Sequence, residues 1–508
     1  MIAVGSRVGN AFRPTRLRRP WGLAVKDIEG PGMVSIIRKT CNRAIAWLER
    51  IAINTADGKM CGWSEEYAEN PDMIDPWGGT AQALIAIMEA ERLGLAQDED
   101  KMSRIRDLVR KGVKWLLANQ HPSGGWCSRI PRMEYPITEV TAWVILALLR
   151  SLRFLSPHLT RDERERIIEA IKQGILWLVS EQKDDGGWGY WRVDGGPSRV
   201  YPTAIALRAL IRSYLDLREE LGEDPIVRQN VECSTRDGVK WLLSARGEDG
   251  CWGESGVAEM STAPHTAHAF LTLLEASRLP MLRNELTRET VNEIKECVIQ
   301  CLRRNFDKEE GGWAIYAETR RSLFDSQRQP SIVSIVTYHA STPWCVLALL
   351  EAGIDPIQDE DMLLAVKYVL SLQNEHGAFC WGERPKVWLT HDCVVALSHI
   401  LDFYTNPDRL IKTMMYLRDT VRTKEDYIKT LEDRIKRFGK TLLRVMIESM
   451  LLTVLILGVA LLLIVFKLPP GLSPLIEAVI TVGIMAVGGD LYRIVRRYLL
   501  MRKSSSES

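Results

Sequence analysis

The sequence predicts an all-α chain: an α6/α6 toroid of six helical hairpins, followed by a coiled-coil helix and a C-terminal transmembrane helical hairpin. Three observations carry this reading. A helix-turn-tryptophan motif returns six times, a heptad seam follows the last copy, and two apolar runs stand near the C-terminus.

The motif is clearest in residues 111–129, KGVKWLLANQHPSGGWCSR. Val113, Trp115, Leu116 and Leu117 form the apolar stripe of a helix end, and a polar turn, two glycines for a tight reversal and Trp126 follow. QGILWLVSEQKDDGGWGYW and DGVKWLLSARGEDGCWGES repeat it, and weaker copies end at Trp63, Trp313 and Phe379. The terminal aromatics stand at 63, 126, 188, 252, 313 and 379, so they are spaced by 63, 62, 64, 61 and 66 residues.

After each aromatic comes a second, mostly apolar helix, as in TEVTAWVILALLRS, VYPTAIALRALIRS and APHTAHAFLTLLEA. Its threonine is expected to cap its own helix by accepting a free backbone N–H. An apolar helix needs cover on nearly all sides. Six inner helices forming a barrel, walled by six amphipathic ones, supply that cover over residues 33–405. Each Gly-Gly-Trp indole is expected to fill the gap left where one hairpin turns into the next.

The pattern Lys/Arg-Gly-x-x-aromatic-Leu-x-x-x-Gln-x-x-x-Gly-x-Trp resembles the repeat of squalene and oxidosqualene cyclases, shared more loosely by protein prenyltransferase β subunits. Residues 111–126 match it in full and 173–188 nearly so, and the likeness covers about residues 35 to 405. It implies an α/α toroid with an isoprenoid-binding central cavity. It also implies where a proton donor would sit: the middle Asp of Asp-x-Asp-Asp, just before Thr-Ala, held protonated by an apolar pocket, with aromatic faces to stabilise a carbocation.

This chain has no Asp-x-Asp-Asp; the donor slot holds Gly78, Glu139, Tyr201, Pro264, Ala340 and Thr390. Glu139 alone is acidic. It is either the catalytic acid or a carboxylate stabilised by its place near a helix N-terminus. Asp72 and Asp75, in NPDMIDPWGGTA, read as turn residues beside proline. The prenyltransferase zinc set is incomplete: His265 lacks an Asp-x-Cys companion, and adjacent His391, Asp392 and Cys393 point to different faces of a helix. No metal and no cofactor is expected.

A ring of polar and aromatic residues marks the inner-helix openings: Glu139, Tyr201, His265, Tyr338, His339, Trp344, His391 and Asp392. Tyr190 and Trp191 in WGYWRVDGGPSRVY lie nearby. The ring reads as a ligand-binding set for an isoprenoid or other lipid, or alternatively as the closed end of a solid barrel.

The remaining segments follow in order. Residues 1–32 form a basic arm, carrying five arginines and one lysine without an acid up to position 26, and lack the apolar run of a secretory signal. The seam 410, 414, 417, 421, 428, 431, 435 and 438, broken by Lys424, predicts a coiled-coil helix over 408–442 and a homodimer. MLLTVLILGVALLLIVF (450–466) and the apolar run 475–489 predict a two-helix transmembrane region over 443–500, ahead of a tail at 501–508. Five basic residues precede the pair and five follow it, while the connecting loop holds only Lys467, so the toroid is expected to face the cytoplasm.

Lys plus Arg number 66 and Asp plus Glu 65, a balance that gives no footing for nucleic acid. Ten scattered cysteines read as reduced, buried thiols. The leading expectation is a membrane-anchored toroid that binds a polyisoprenoid or lipid, with turnover left open by the missing acidic motif. The alternative is a non-catalytic sensor or scaffold whose coiled coil signals to the membrane.

Overall fold

Along the chain the long helices alternate between amphipathic and mostly buried. In the computed structural model, which describes residues 31–89, 93–94, 98–128, 134–190, 196–222, 224–255, 261–320, 332–337, 339–356 and 358–405, α1 (Pro31–Arg50) pairs with α2 (Gln82–Met88). Next come α3 (Glu99–Ala118) with α4 (Thr138–Leu155), and α5 (Arg161–Ser180) with α6 (Val200–Asp216). A short helix, α7 (Arg218–Gly222), leads to α8 (Pro225–Ser244), which pairs with α9 (Ala263–Ala276). The last pairs are α10 (Arg288–Arg304) with α11 (Thr342–Glu351), and α12 (Glu360–Ser371) with α13 (Val387–Thr405).

The chain divides into two compact units, Met1–Tyr416 and Leu417–Ser508. The expected basic arm up to residue 30, coiled coil, transmembrane region and tail lie outside the described residues.

The buried helices form the inner ring. α2 packs on α4, α4 on α6, α6 on α9, α9 on α11, α11 on α13, and α13 returns to α2. The amphipathic helices lie outside them, with α1 against α13 and α2, and α5 against α4 and α6. The mostly helical fold is consistent with the α/α toroid expected from the repeats. Thr138–His158 is, among the described residues, long and apolar enough to cross a membrane, but here it is an inner stave and mostly buried.

The corners follow one hydrogen-bonding scheme. The indole Nε1 of Trp63, Trp126, Trp188, Trp252 and Trp313 donates to the carbonyls of Leu48, Leu116, Leu178, Leu242 and Leu302 at 2.8, 2.8, 2.8, 2.7 and 2.6 Å. Each bond brings a side-chain donor to a carbonyl in the last turn of an outer helix, where the regular intrahelical ladder ends. All five indoles are completely buried.

The threonine of each inner helix does not cap that helix, contrary to the sequence expectation. Thr80, Thr141, Thr203, Thr266, Thr342 and Thr390 instead accept the backbone N–H of the corner aromatics Trp63, Trp126, Trp188, Trp252, Trp313 and Phe379 at 2.9–3.2 Å. Three of the inner-helix starts are closed by the neighbouring hairpin: Thr138 N–H donates to Tyr190 O at 2.9 Å, Val200 N–H to Glu254 O at 3.0 Å and Val387 N–H to Glu65 O at 3.0 Å. Stacked repeats bring a carbonyl to each of these N–H groups, which leaves the hydroxyl to pin the tryptophan.

In three repeats a glutamine ties the corner to the next outer helix. Gln120 Nε2 donates to Gly124 O and to Ala170 O of α5, and Gln182 Nε2 to Gly186 O and to Ser234 O of α8. Gln373 makes the same pair to Gly377 O at 2.9 Å and to Thr40 O of α1 at 2.8 Å, so the sixth hairpin joins the first by the bond that links the second to the third and the third to the fourth.

The fold is mostly helical, and among the described residues four small antiparallel hairpins occupy corners and loops: β1 (Ile53–Asn54) with β2 (Cys61–Gly62), β3 (Phe306–Asp307) with β4 (Gly312–Trp313), β5 (Ile315–Arg320) with β6 (Ile332–Thr337), and β7 (Cys380–Trp381) with β8 (Arg384–Pro385). IYAETR and IVSIVT are rich in β-branched residues, which suit an extended pair. The cysteines are not all free thiols, contrary to the sequence expectation, since Cys251 and Cys301 form a disulfide. They lie 50 residues apart in sequence, and repeat stacking sets the Cys251 corner against α10, where a Cβ added at Gly250 would also meet Cys297.

Candidate functional site

Glu139 is the second residue of α4 and is 8% exposed. Burial raises its pKa to about 7, hydrogen bonding to Tyr201 opposes the rise, the nearby Asp392 carboxylate adds to it, and Trp77 again opposes it. Below that pH the carboxyl is neutral and carries a proton. Tyr201, one helix further round on α6, accepts a hydrogen bond from Trp143 Nε1 at 3.1 Å. Burial, then the Glu139 charge, holds the Tyr201 phenol well above its ordinary value.

Around this pair the inner helices supply rings. Tyr201 meets His268 edge-on at 4.8 Å, and His268 lies 4.5 Å from Trp344. Trp143 stands 6.1 Å from Trp344 and 5.0 Å from His391, whose Nδ1 pairs with Asp392 Oδ1 at 2.8 Å. Burial raises the pKa of Asp392, while its hydrogen bond from His391 restrains the rise. Five inner helices thus converge on one patch that contains two buried carboxyls and three aromatic faces.

The other expected residues fall as follows. Tyr190 offers its carbonyl to the start of α4, and burial, followed by the charge of Glu139, raises its phenol pKa. His265 is hydrogen-bonded to Thr262 Oγ1 at 2.6 Å, and burial, then Arg199, lowers its pKa to about 4. His339 belongs to a neighbouring cluster: it stacks on Trp381 at 4.9 Å, lies 5.9 Å from Trp388, and burial, then Lys386, lowers its pKa to about 4. Trp191 and Tyr338 lie outside the described residues.

Asp75 caps the turn Pro76–Ala81 through Trp77 N at 2.9 Å, which fits the turn role. Among the described residues, no group of three or more His, Cys, Asp or Glu is arranged to hold a metal ion.

Sequence reasoning passed over Trp143 and His268. Both were legible by helical spacing: Trp143 is four residues beyond Glu139 and His268 three beyond His265, so each lies one turn further along the same face.

Within the barrel a cavity of about 520 Å³ extends from this patch toward the C-terminal ends of the inner helices. Trp143, Trp344 and His391 are its floor, and Ile85, Leu146, Leu271, Leu347 and Val395 supply apolar wall. Of the expected ligand-binding residues, Trp344 and His391 line it.

The raised pKa of Glu139 has a consequence for stability. The folded state holds the Glu139 proton more tightly than the unfolded chain, whose value is near 4.5, so the contribution is greatest below that pH and is lost as pH rises to about 7. Glu139→Gln removes this loss. The variant is expected to match the wild type near pH 4 and to exceed it by up to about 3 kcal/mol above pH 7, as read from urea denaturation. A difference independent of pH would show that the carboxyl is not neutral when folded.

No family model matches the chain. Among curated proteins it is similar to the squalene–hopene cyclase of Bradyrhizobium diazoefficiens, 25% identical over 248 residues that cover 45% of this chain and 34% of that protein. The squalene–hopene cyclase of Zymomonas mobilis is 26% identical over 276 residues, 46% of this chain and 36% of that protein. The chain therefore spans about a third of the length of these relatives. Among solved structures, the type II terpene cyclase MstE from Scytonema with merosterolic acid A aligns at a TM-score of 0.43 and 13% identity over 73% of this chain and 98% of that one. By the residues of its repeats and by these curated relatives, the chain is similar to the squalene/oxidosqualene cyclase-like terpenoid cyclases over less than half of its length.

Proposed function

We propose that the toroid binds a polyisoprenoid or related lipid in its lumen and that Glu139 is the general acid of a cyclisation started by protonation. One observation carries the reading: the single acid in the family's donor slot is buried and holds its proton up to about pH 7. In such a step the carboxyl proton passes to one carbon of an alkene. The alkene π electrons form the new C–H bond, the neighbouring carbon becomes cationic, and a later loss of a proton restores the charge balance. The indole faces of Trp143 and Trp344 suit a transient cation. The C-terminal apolar pair would anchor the toroid to the membrane that holds such substrates, facing the cytoplasm, with the heptad seam making a dimer.

The heptad seam also favours a second reading, in which the toroid senses a lipid and the helix relays its occupancy without turnover. Incubating the full-length protein with squalene and with prenyl diphosphates separates the two. A product of unchanged mass, lost by a factor of about a hundred or more in Glu139→Gln and declining above pH 7 in the wild type, supports the enzyme. Retention of lipid with no turnover leaves the sensor.

A further inference from the structure

A cyclisation that starts with a proton from Glu139 ends with a proton lost from a carbocation, and that loss needs an acceptor. Among the described residues, acceptors line the cavity at two levels. Glu275, Glu351, Asp216 and Asp402 stand at or near the C-terminal ends of their helices. Two of them are already engaged, Glu275 by Arg212 at 3.1 Å and Glu351 by His399 at 3.4 Å. At the other level, on the aromatic floor, stands His391.

His391 is the fifth residue of α13, and it and Asp392 beside it are both buried. Its Nδ1 lies 2.8 Å from Asp392 Oδ1. An ionised carboxylate can only accept, so this contact puts the imidazole proton on Nδ1 and leaves a lone pair on Nε2. No described residue hydrogen-bonds to Nε2. The ring stands beside two indoles, 5.0 Å from Trp143 at an interplanar angle of 83° and 6.3 Å from Trp344. A carbocation resting on those indole faces would hold its neighbouring C–H bonds close to the imidazole. His268, the other imidazole of the patch, does not line the cavity and pairs with no carboxylate among the described residues.

We infer that His391 is the general base that ends the reaction and that Asp392 is its positioning residue. This rests on the reading of Glu139 as the initiating acid and adds the group that receives the second proton. In the step, a C–H bond next to the cationic carbon breaks. Its electron pair becomes the π bond of the product alkene, and the proton passes to Nε2 of His391. Asp392 fixes the tautomer and offsets the imidazolium charge through Nδ1–H. One proton thus leaves Glu139 and one arrives at His391, and exchange of both groups with water restores the starting state.

The test follows squalene through the full-length protein and reads both its consumption and the product spectrum by gas chromatography with mass detection. In the wild type an alkene of unchanged mass is expected to dominate. His391→Gln keeps an N–H for Asp392 but has no basic lone pair. Its alkene share is expected to fall about tenfold, replaced by products carrying one added water where the longer-lived cation is captured. Asp392→Asn is expected to give the same spectrum, because the amide donates to Nδ1 and moves the imidazole proton onto Nε2. In either variant consumption should fall by about tenfold at most, against about a hundredfold or more for Glu139→Gln. A spectrum unchanged in both variants overturns the base and leaves Glu139 standing. Consumption lost as fully as in Glu139→Gln, in a variant whose circular dichroism matches the wild type, also overturns it, since the pair would then act at initiation. The imidazole nitrogen chemical shifts, with His391 assigned by the signal missing from His391→Gln, need no turnover: a wild-type proton on Nε2 instead of Nδ1 overturns the base. No product from squalene or from prenyl diphosphates overturns the enzyme and the base together.

Discussion

Trp188→Ala is expected to lower the stability of the toroid by about 3 to 5 kcal/mol, read as a shift in the urea midpoint with an unchanged slope. The indole is fully buried, and its loss opens a cavity where α5, α6 and α8 meet. It also removes the Nε1 donor that the Leu178 carbonyl accepts at 2.8 Å. Trp188→Phe separates the two contributions, because it refills most of the space and removes only the N–H donor. Phe379 already stands in this slot in the sixth hairpin, so the phenyl ring is compatible with the corner. A cost under about 1 kcal/mol for Trp188→Ala would refute the structural role of the corner.

Gly377→Ala is expected to be nearly as damaging, at about 3 kcal/mol or more, and its damage should be localised. Gly377 has φ +94°, and a Cβ there would stand 2.4 Å from the carbonyl oxygen of Arg43 in α1. The substitution therefore strains the backbone and pushes apart the seam at which the sixth hairpin meets the first. Gly58→Ala is the control: its φ is +66°, but nothing lies within 4 Å of the added atom, so only the left-handed backbone is penalised, by about 1 kcal/mol. Hydrogen exchange should rise first in α1 and α13 of the Gly377 variant. Uniform exchange throughout the toroid would mean that the seam is not the point of closure.

The corner scheme explains why the fold was so legible and the site less so. Trp126, Gln120 and Gly124 each do one job at one offset, so their recurrence in sequence reports a recurring local geometry. The threonines misled because an N-cap and an acceptor for a neighbouring N–H need the same hydroxyl at the same helical end, and only the packed repeat distinguishes them. Glu139 was legible as the one acid in its slot, whereas its neutral state depends on burial among the packed inner helices, which with the Asp392 charge outweighs the opposing hydrogen bonds of Tyr201 and Trp77. The Cys251–Cys301 pairing was likewise invisible to spacing, since the two residues meet only where one corner rests on the next outer helix.

By itself the sequence determined the six-hairpin plan, the burial of the inner helices and the place of the corner tryptophans. These are short-range facts, set by helical periodicity and by turn residues that act within a few positions of one another. Tertiary structure alone decided that the sixth hairpin joins the first through Gln373 and Val387, and that Trp143 and His268 share the Glu139 patch. Each of those depends on residues tens to hundreds of positions apart. The distances between them, and hence their charge state and hydrogen bonding, come into being only when the ring closes.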